Sequence, residues 1–175
     1  MMNKIKQSPQ RIIITGFMGA GKTTVARELA EHLDCLFVDL DQFITEREKR
    51  TVPAIIDEDG LTQFRAIETN ALRDVLKNSS LRIIALGGGA WTIEGNRQLI
   101  SKHNIFTVWL DAPFKLCWRR IASEDNSRPL ARDREEAQQL FLKRRAVYEI
   151  AALRVEIDEA KSAAAVVAEI LDALR

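Results

Sequence analysis

Gly16-Phe17-Met18-Gly19-Ala20-Gly21-Lys22-Thr23 sets glycines, a lysine and a hydroxyl at the spacing G-x-x-x-x-G-K-[ST]. Each residue type has a task in holding a polyphosphate. Glycines let backbone N–H groups curl around anionic oxygens without a Cβ in the way. A helix opening near Gly21 directs its positive end at the same oxygens. Lys22 supplies a point charge for the β- and γ-phosphates, and the Thr23 hydroxyl suits Mg²⁺, which prefers oxygen ligands. The expected nucleotide-binding set is Gly19, Ala20, Gly21, Lys22, Thr23 and Thr24. A glycine-rich turn without a ligand is the plainer alternative. The strand before this segment and the helix after it argue against that alternative.

Four further groups bear on an acceptor. Asp39 and Asp41 flank Leu40 at the end of an expected strand, where ligands of open α/β sheets bind. Alternation along an extended backbone puts both carboxylates on one side. One of them would hold hydrated magnesium and the other would take a hydroxyl proton; a helix N-cap at Asp41 is the competing use. Gly87-Gly88-Gly89 ends another strand and suits a backbone that approaches a ligand closely, or a connection that needs positive φ. Arg65 neighbours the core-facing Phe64 on a long helical pattern. It is either a carboxylate-binding guanidinium or a solvated helix charge. Arg128 sits in a polar loop and Arg144 on the next helix. A loop closing over the donor would bring Arg128 to the phosphates.

The elements that must position these groups alternate in type. Short apolar strands are expected over 11–15, 35–38, 82–86, 105–110 and 153–157. Helices are expected over 22–33, 42–49, from Gly60 to 77, and over 94–102, 113–121, 135–151 and 160–174, with Pro53 able to open a turn of its own. Residues 122–134 read as a loop. The alternation predicts an α/β domain with a parallel sheet. The alanine- and valine-rich last helix docks on that sheet.

Composition narrows the function classes. A chain of 175 residues suits one domain able to bury about 70% of its unfolded surface. A formal net charge of +1 argues against a general nucleic-acid binder. Cys35 and Cys117 are far apart in apolar surroundings and are expected as buried small hydrophobes. His32 and His103 are not spaced for metal ligation and read as helix-surface residues. No run approaches the roughly 18 apolar residues of a membrane span. Residues 1–10 lack the apolar stretch of a secretory signal. The expected location is a reducing cytoplasm, with no membrane partner and a monomeric state.

Together these segments resemble the shikimate kinase family. The resemblance runs from Ile12 to about Ile170 and rests on GFMGAGKT at Gly16–Thr23, DLD at Asp39–Asp41, FRAIE at Phe64–Glu68, GGG at Gly87–Gly89, RPL at Arg128–Leu130 and KRRAVY at Lys143–Tyr148. It implies a three-layer P-loop kinase with a five-stranded parallel sheet in the order 2-3-1-4-5. It implies one domain over 1–175, with an acceptor segment at about 41–70 and a lid at about 122–134. The implied reaction moves the γ-phosphate of ATP, with Mg²⁺, to the 3-hydroxyl of shikimate, in the pathway to aromatic amino acids. Asp41 would be the base, Asp39 would hold Mg²⁺ through water beside Thr23, and Arg65 and Arg144 would bind the carboxylate near Gly87, Gly88 and Gly89. Arg120 would stack on adenine, and Arg128 would act from the lid with Lys22 as a catalytic charge. The chain departs from the family pattern at Ile56, Leu61, Trp91 and Ala131. Two other readings stand beside this one. The first is a kinase for another hydroxy acid or an aminated shikimate analogue. The second is a nucleotide-binding regulatory module without transfer activity.

Overall fold

The computed structural model describes residues 11–123 and 133–175. Five parallel strands form one sheet in the order β2-β3-β1-β4-β5. They are β1 (Ile12–Thr15), β2 (Leu36–Asp39), β3 (Leu81–Ala85), β4 (Phe106–Asp111) and β5 (Leu153–Glu156). The central strand β1 registers Ile12 against Ile83 of β3 and against Phe106 of β4. Its four residues are all buried, as a parallel strand covered on both faces requires. The outer strand β2 is less covered, and Leu36 at its start is 60% exposed. Helices on both faces complete the three-layer α/β architecture.

The helices are α1 (Lys22–His32), α2 (Leu40–Glu48), α3 (Val52–Lys77), α4 (Glu94–Ser101), α5 (Phe114–Ser123), α6 (Arg134–Tyr148) and α7 (Ala163–Ala173). α1 lies against β1, β2 and β3, and α7 packs on α1 and β5 through Val166, Val167 and Ile170. The last helix thus docks as its apolar stripe predicts. α3 starts at a Thr51 cap with Pro53 in its first turn and is interrupted at Gly60, whose φ of 86° and ψ of 161° no helix accepts. A glycine tolerates that left-handed φ where a Cβ would not. The carbonyls at the far end of α3 are satisfied by one side chain. Arg11 donates to Val75, Leu76, Asn78 and Leu81 at 2.7–3.1 Å. Arg11 therefore lies outside the strand assigned to it from sequence and works instead as a buried cap.

Other boundaries also shift. Residues 122 and 123 belong to α5 and Arg134 opens α6, so both ends of the expected loop are helical. Asp133 caps α6 by accepting from the N–H groups of Glu135 and Glu136. Cys117 is buried, whereas Cys35 is only half-buried, and neither is joined in a disulfide among the described residues. His32 and His103 are exposed, in agreement with a surface role. Among the described residues no helix is long and apolar enough to cross a membrane.

Candidate active site

The segment after β1 leaves the sheet at its centre, between the ends of β3 and β4, where an open α/β sheet places its ligand crevice. It opens into a cleft of about 710 Å³ lined by Gly19, Ala20, Gly21, Lys22, Thr23 and Thr24. All six residues expected to bind nucleotide therefore share one wall. Gly19 has a φ of 77°, and a Cβ there would stand 2.7 Å from the Cys117 carbonyl of α5, so the loop turns only because this residue is glycine. The N-terminus of α1 has Gly21 at its cap with no side-chain hydrogen bond, whereas α2, α3, α6 and α7 are capped by Asp39, Thr51, Asp133 and Ser162. Its first N–H groups are thus turned to the cleft and suited to an anion. Lys22 Nζ donates to the Phe17 carbonyl at 3.0 Å, which folds the ammonium back over the loop. Arg120 lines the same cleft and its Nη1 donates to the Gly19 carbonyl at 2.9 Å.

The two aspartates differ from their sequence-based arrangement. Asp39 ends β2 and Asp41 lies in the first turn of α2, so they do not alternate along one strand. Asp39, not Asp41, is the helix cap, and its Oδ1 accepts from the N–H groups of Asp41 (2.9 Å) and Gln42 (3.1 Å). Its other oxygen accepts from Thr23 Oγ1 at 2.5 Å. A carboxylate and a hydroxyl thus meet on the cleft floor, a hard-oxygen pair that fits Mg²⁺. Among the described residues there is no cluster of three or more His, Cys, Asp and Glu.

The three glycines after β3 explain how the remaining charges converge. A Cβ on Gly87 would stand 2.5 Å from Asp41 Oδ1 and 3.1 Å from Glu68 Oε1. One on Gly89 would stand 2.1 Å from Arg65 Nη2. One on Gly88 would stand 3.2 Å from the Met18 nitrogen of the phosphate loop and 3.7 Å from Arg144 Nη1. The missing side chains are the room in which Asp41, Arg65 and Arg144 gather beside the loop. Arg144 Nη1 donates to the Gly88 carbonyl at 3.2 Å, and the Tyr148 hydroxyl donates to the same oxygen. The Arg144 guanidinium also stands 6.0 Å from the Phe17 ring centroid, joining α6 to the phosphate loop.

Burial shapes the electrostatics of this cluster. Arg144 is 7% exposed, and desolvation lowers its pKa, partly offset by Tyr148. The Tyr148 hydroxyl is pushed up to about 12 by burial, against the pull of Arg144. Glu68 is 1% exposed and donates nothing as a carboxylate; its Oε2 accepts from Arg65 Nη1 at 2.7 Å. Burial pushes its pKa up to about 7, Arg65 pulls it down, Asp41 raises it and Arg144 lowers it.

Every acceptor-side residue singled out from sequence, Asp41, Arg65, Gly87, Gly88, Gly89 and Arg144, thus meets at one place. Arg128, with residues 124–132 of the lid expected at about 122–134, lies outside the described residues. Glu68 and Tyr148 were quoted only within motifs and given no role, and Trp91 was read only as a departure. A signal for the first two exists in the helical spacing. The buried face of α3 runs Phe64, Glu68, Ala71, Leu72, Val75, and that of α6 runs Ala137, Phe141, Arg144, Tyr148. A charge on an apolar face needs a partner, and here the partners form the site.

Comparison with known proteins bears on the whole chain. The family model described as "Shikimate kinase" matches residues 18–175. The shikimate kinase of Persephonella marina is 35% identical, covering 95% of this chain and 99% of its own. That of Sulfurihydrogenibium sp. is 34% identical, covering 95% and 98%. The match to the Salinibacter ruber shikimate kinase is 38% identical over 71% of this chain, and spans 60% of that relative. Among solved structures, the shikimate kinase from Acinetobacter baumannii in complex with shikimate superposes with a TM-score of 0.87 at 33% identity, covering 97% of this chain and 94% of that one. A gluconokinase from Sinorhizobium meliloti, at 19% identity and a TM-score of 0.56, shares the fold alone. On the family match and the near full-length relatives, the chain belongs to the shikimate kinase family.

Proposed function

We propose that the protein transfers the γ-phosphoryl group of ATP to the 3-hydroxyl of shikimate, giving 3-phosphoshikimate and ADP. The observation that carries this reading is the convergence of Asp41, Arg65 and Arg144 on the Gly87–Gly89 turn, so close to the phosphate loop that a Cβ on Gly88 would stand 3.2 Å from the Met18 nitrogen. A small acid held there faces the donor cleft, which Asp41 also lines. The relative solved with shikimate supports the choice of acceptor.

Arg65 and Arg144 present planar guanidinium groups to the acceptor carboxylate, where bidentate bonds fix orientation as well as charge. Asp41 accepts the proton of the attacking hydroxyl as the new O–P bond forms and the bond to the β–γ bridging oxygen breaks. The loop N–H groups, Lys22 and the N-terminus of α1 neutralise the phosphates, and Arg120 packs against the adenine side of the cleft. Thr23 and, through water, Asp39 would hold Mg²⁺, which screens charge on the β- and γ-oxygens. The acceptor segment at about 41–70 and an Arg128-bearing lid at about 122–134 complete the site. We read the enzyme as a cytoplasmic monomer.

The test is ADP release with Mg²⁺-ATP, with and without shikimate, alongside gluconate and an aminated shikimate analogue. Shikimate-dependent release with the highest kcat/KM in the panel is expected. ATP binding without any acceptor-dependent release would instead indicate a regulatory module. Asp41→Asn should lower kcat by about 10²-fold or more with the KM for ATP unchanged. Near-normal turnover would remove Asp41 as the base.

A further inference from the structure

The glycines continue into a short 3₁₀ turn, Ala90–Thr92, which is held from two sides. On the α3 and α4 side, Thr69 Oγ1 donates to Asn96 Oδ1 at 2.9 Å, and Asn96 Nδ2 donates to the Ala90 carbonyl at 3.0 Å. Asn96 is fully buried, so these bonds are not shared with solvent. On the α6 side, Trp91 Nε1 donates to the Val147 carbonyl at 3.0 Å. Trp91 is 4% exposed, and its own carbonyl accepts from Arg97 Nη1 at 2.7 Å.

The Val147 carbonyl lies in the last turn of α6, where acceptors lack regular intrahelical donors. The Ile150 N–H reaches it only at 3.3 Å, so the indole is its shorter bond. Val147 stands between Arg144 and Tyr148, the two residues of α6 that donate to Gly88. Both of those bonds end on one backbone oxygen, and Arg145 ties the same turn of α6 to Asp111 of β4 on its other side. The indole bond is a separate tie, from a different residue of the turn to a backbone atom of the helix, and it fixes the spacing between the two directly. A bidentate site needs its donors held to about 0.5 Å.

We infer that Trp91 is a positioning residue for the acceptor-carboxylate clamp: its bond to the Val147 carbonyl sets the gap between the glycine turn and α6, and so the placement of Arg144. The inference rests on the acceptor site proposed above. Trp91→Phe retains an aromatic ring and removes the donor. In Mg²⁺-ATP and shikimate kinetics it should raise the KM for shikimate about fivefold, the equivalent of one lost hydrogen bond. The KM for ATP and kcat should stay within about twofold. Arg144→Ala is measured beside it. A rise in the shikimate KM with Arg144→Ala but not with Trp91→Phe would overturn the positioning role and leave the acceptor site standing. No effect of either variant would overturn the site and the inference together. A parallel rise of both KM values in Trp91→Phe, with a lower melting temperature, would reduce Trp91 to a core residue. If Trp91→Phe does not fold, Thr69→Val loosens the same turn from α3, and the same selective rise in the shikimate KM is required.

Discussion

Glu68 offers the most quantitative handle on the acceptor site. The carboxyl is 1% exposed and faces Arg65 on its own helix, Asp41 on α2 and Arg144 on α6. Its pKa of about 7 lies well above its ordinary 4.5, with burial as the main cause. An acid raised in this way binds more protons folded than unfolded. Its stabilising contribution is therefore full below pH 4.5 and is lost as pH climbs to about 7. Integrating between those values gives a loss on the order of 2–3 kcal/mol from pH 5 to pH 8. Glu68→Gln keeps the shape and cannot ionise, so it escapes that loss. Urea unfolding of both proteins at pH 5 and pH 8 isolates the effect, because every other titrating group is common to the pair. The stability of Glu68→Gln relative to the parent should rise by about 2–3 kcal/mol across the interval. A difference that stays constant within about 0.5 kcal/mol would refute the reasoning, since Glu68 would then titrate alike folded and unfolded. Arg65 is shared between Glu68 and the acceptor carboxylate. The parent should accordingly show a pH-dependent shikimate KM near neutrality that flattens in the variant.

Two further substitutions probe the arrangement. Gly89 has an ordinary right-handed backbone, but a Cβ there would overlap Arg65 Nη2 at 2.1 Å. Gly89→Ala should therefore fold with a melting temperature within about 2 °C while raising the shikimate KM more than about tenfold, the cost of a lost charged hydrogen bond. Unchanged acceptor kinetics in a folded Gly89→Ala would take Arg65 away from the turn. Arg11→Ala strips donors from the carbonyls of Val75, Leu76 and Asn78 at the end of α3 and of Leu81 at the start of β3. It should cost about 3 kcal/mol and lower the melting temperature by roughly 6–12 °C. A drop under 2 °C by calorimetry would show that water replaces the guanidinium at no cost.

The sequence alone determined what depends on short range. Glycine, lysine and hydroxyl spacing between a strand pattern and a helix pattern specifies the phosphate loop, because its chemistry is carried by consecutive backbone N–H groups. Apolar periodicity specified the elements and, with the family resemblance, the sheet order. Only the tertiary structure decided which charges meet. Asp39 and Asp41 read as neighbours on one strand, yet the chain turns between them, so one caps α2 and the other faces the Gly87 turn. Arg65 and Arg144 read equally well as solvated helix charges. Their inward placement depends on side chains absent from Gly87–Gly89 and, for Arg144, on the Gly88 carbonyl 56 residues away. Glu68 and Trp91 gained a role only once α3, α4 and α6 were seen to close on the same turn. Local spacing encodes the backbone that a phosphate needs. The desolvation and mutual contacts that tune an acceptor site arise only when distant segments pack together.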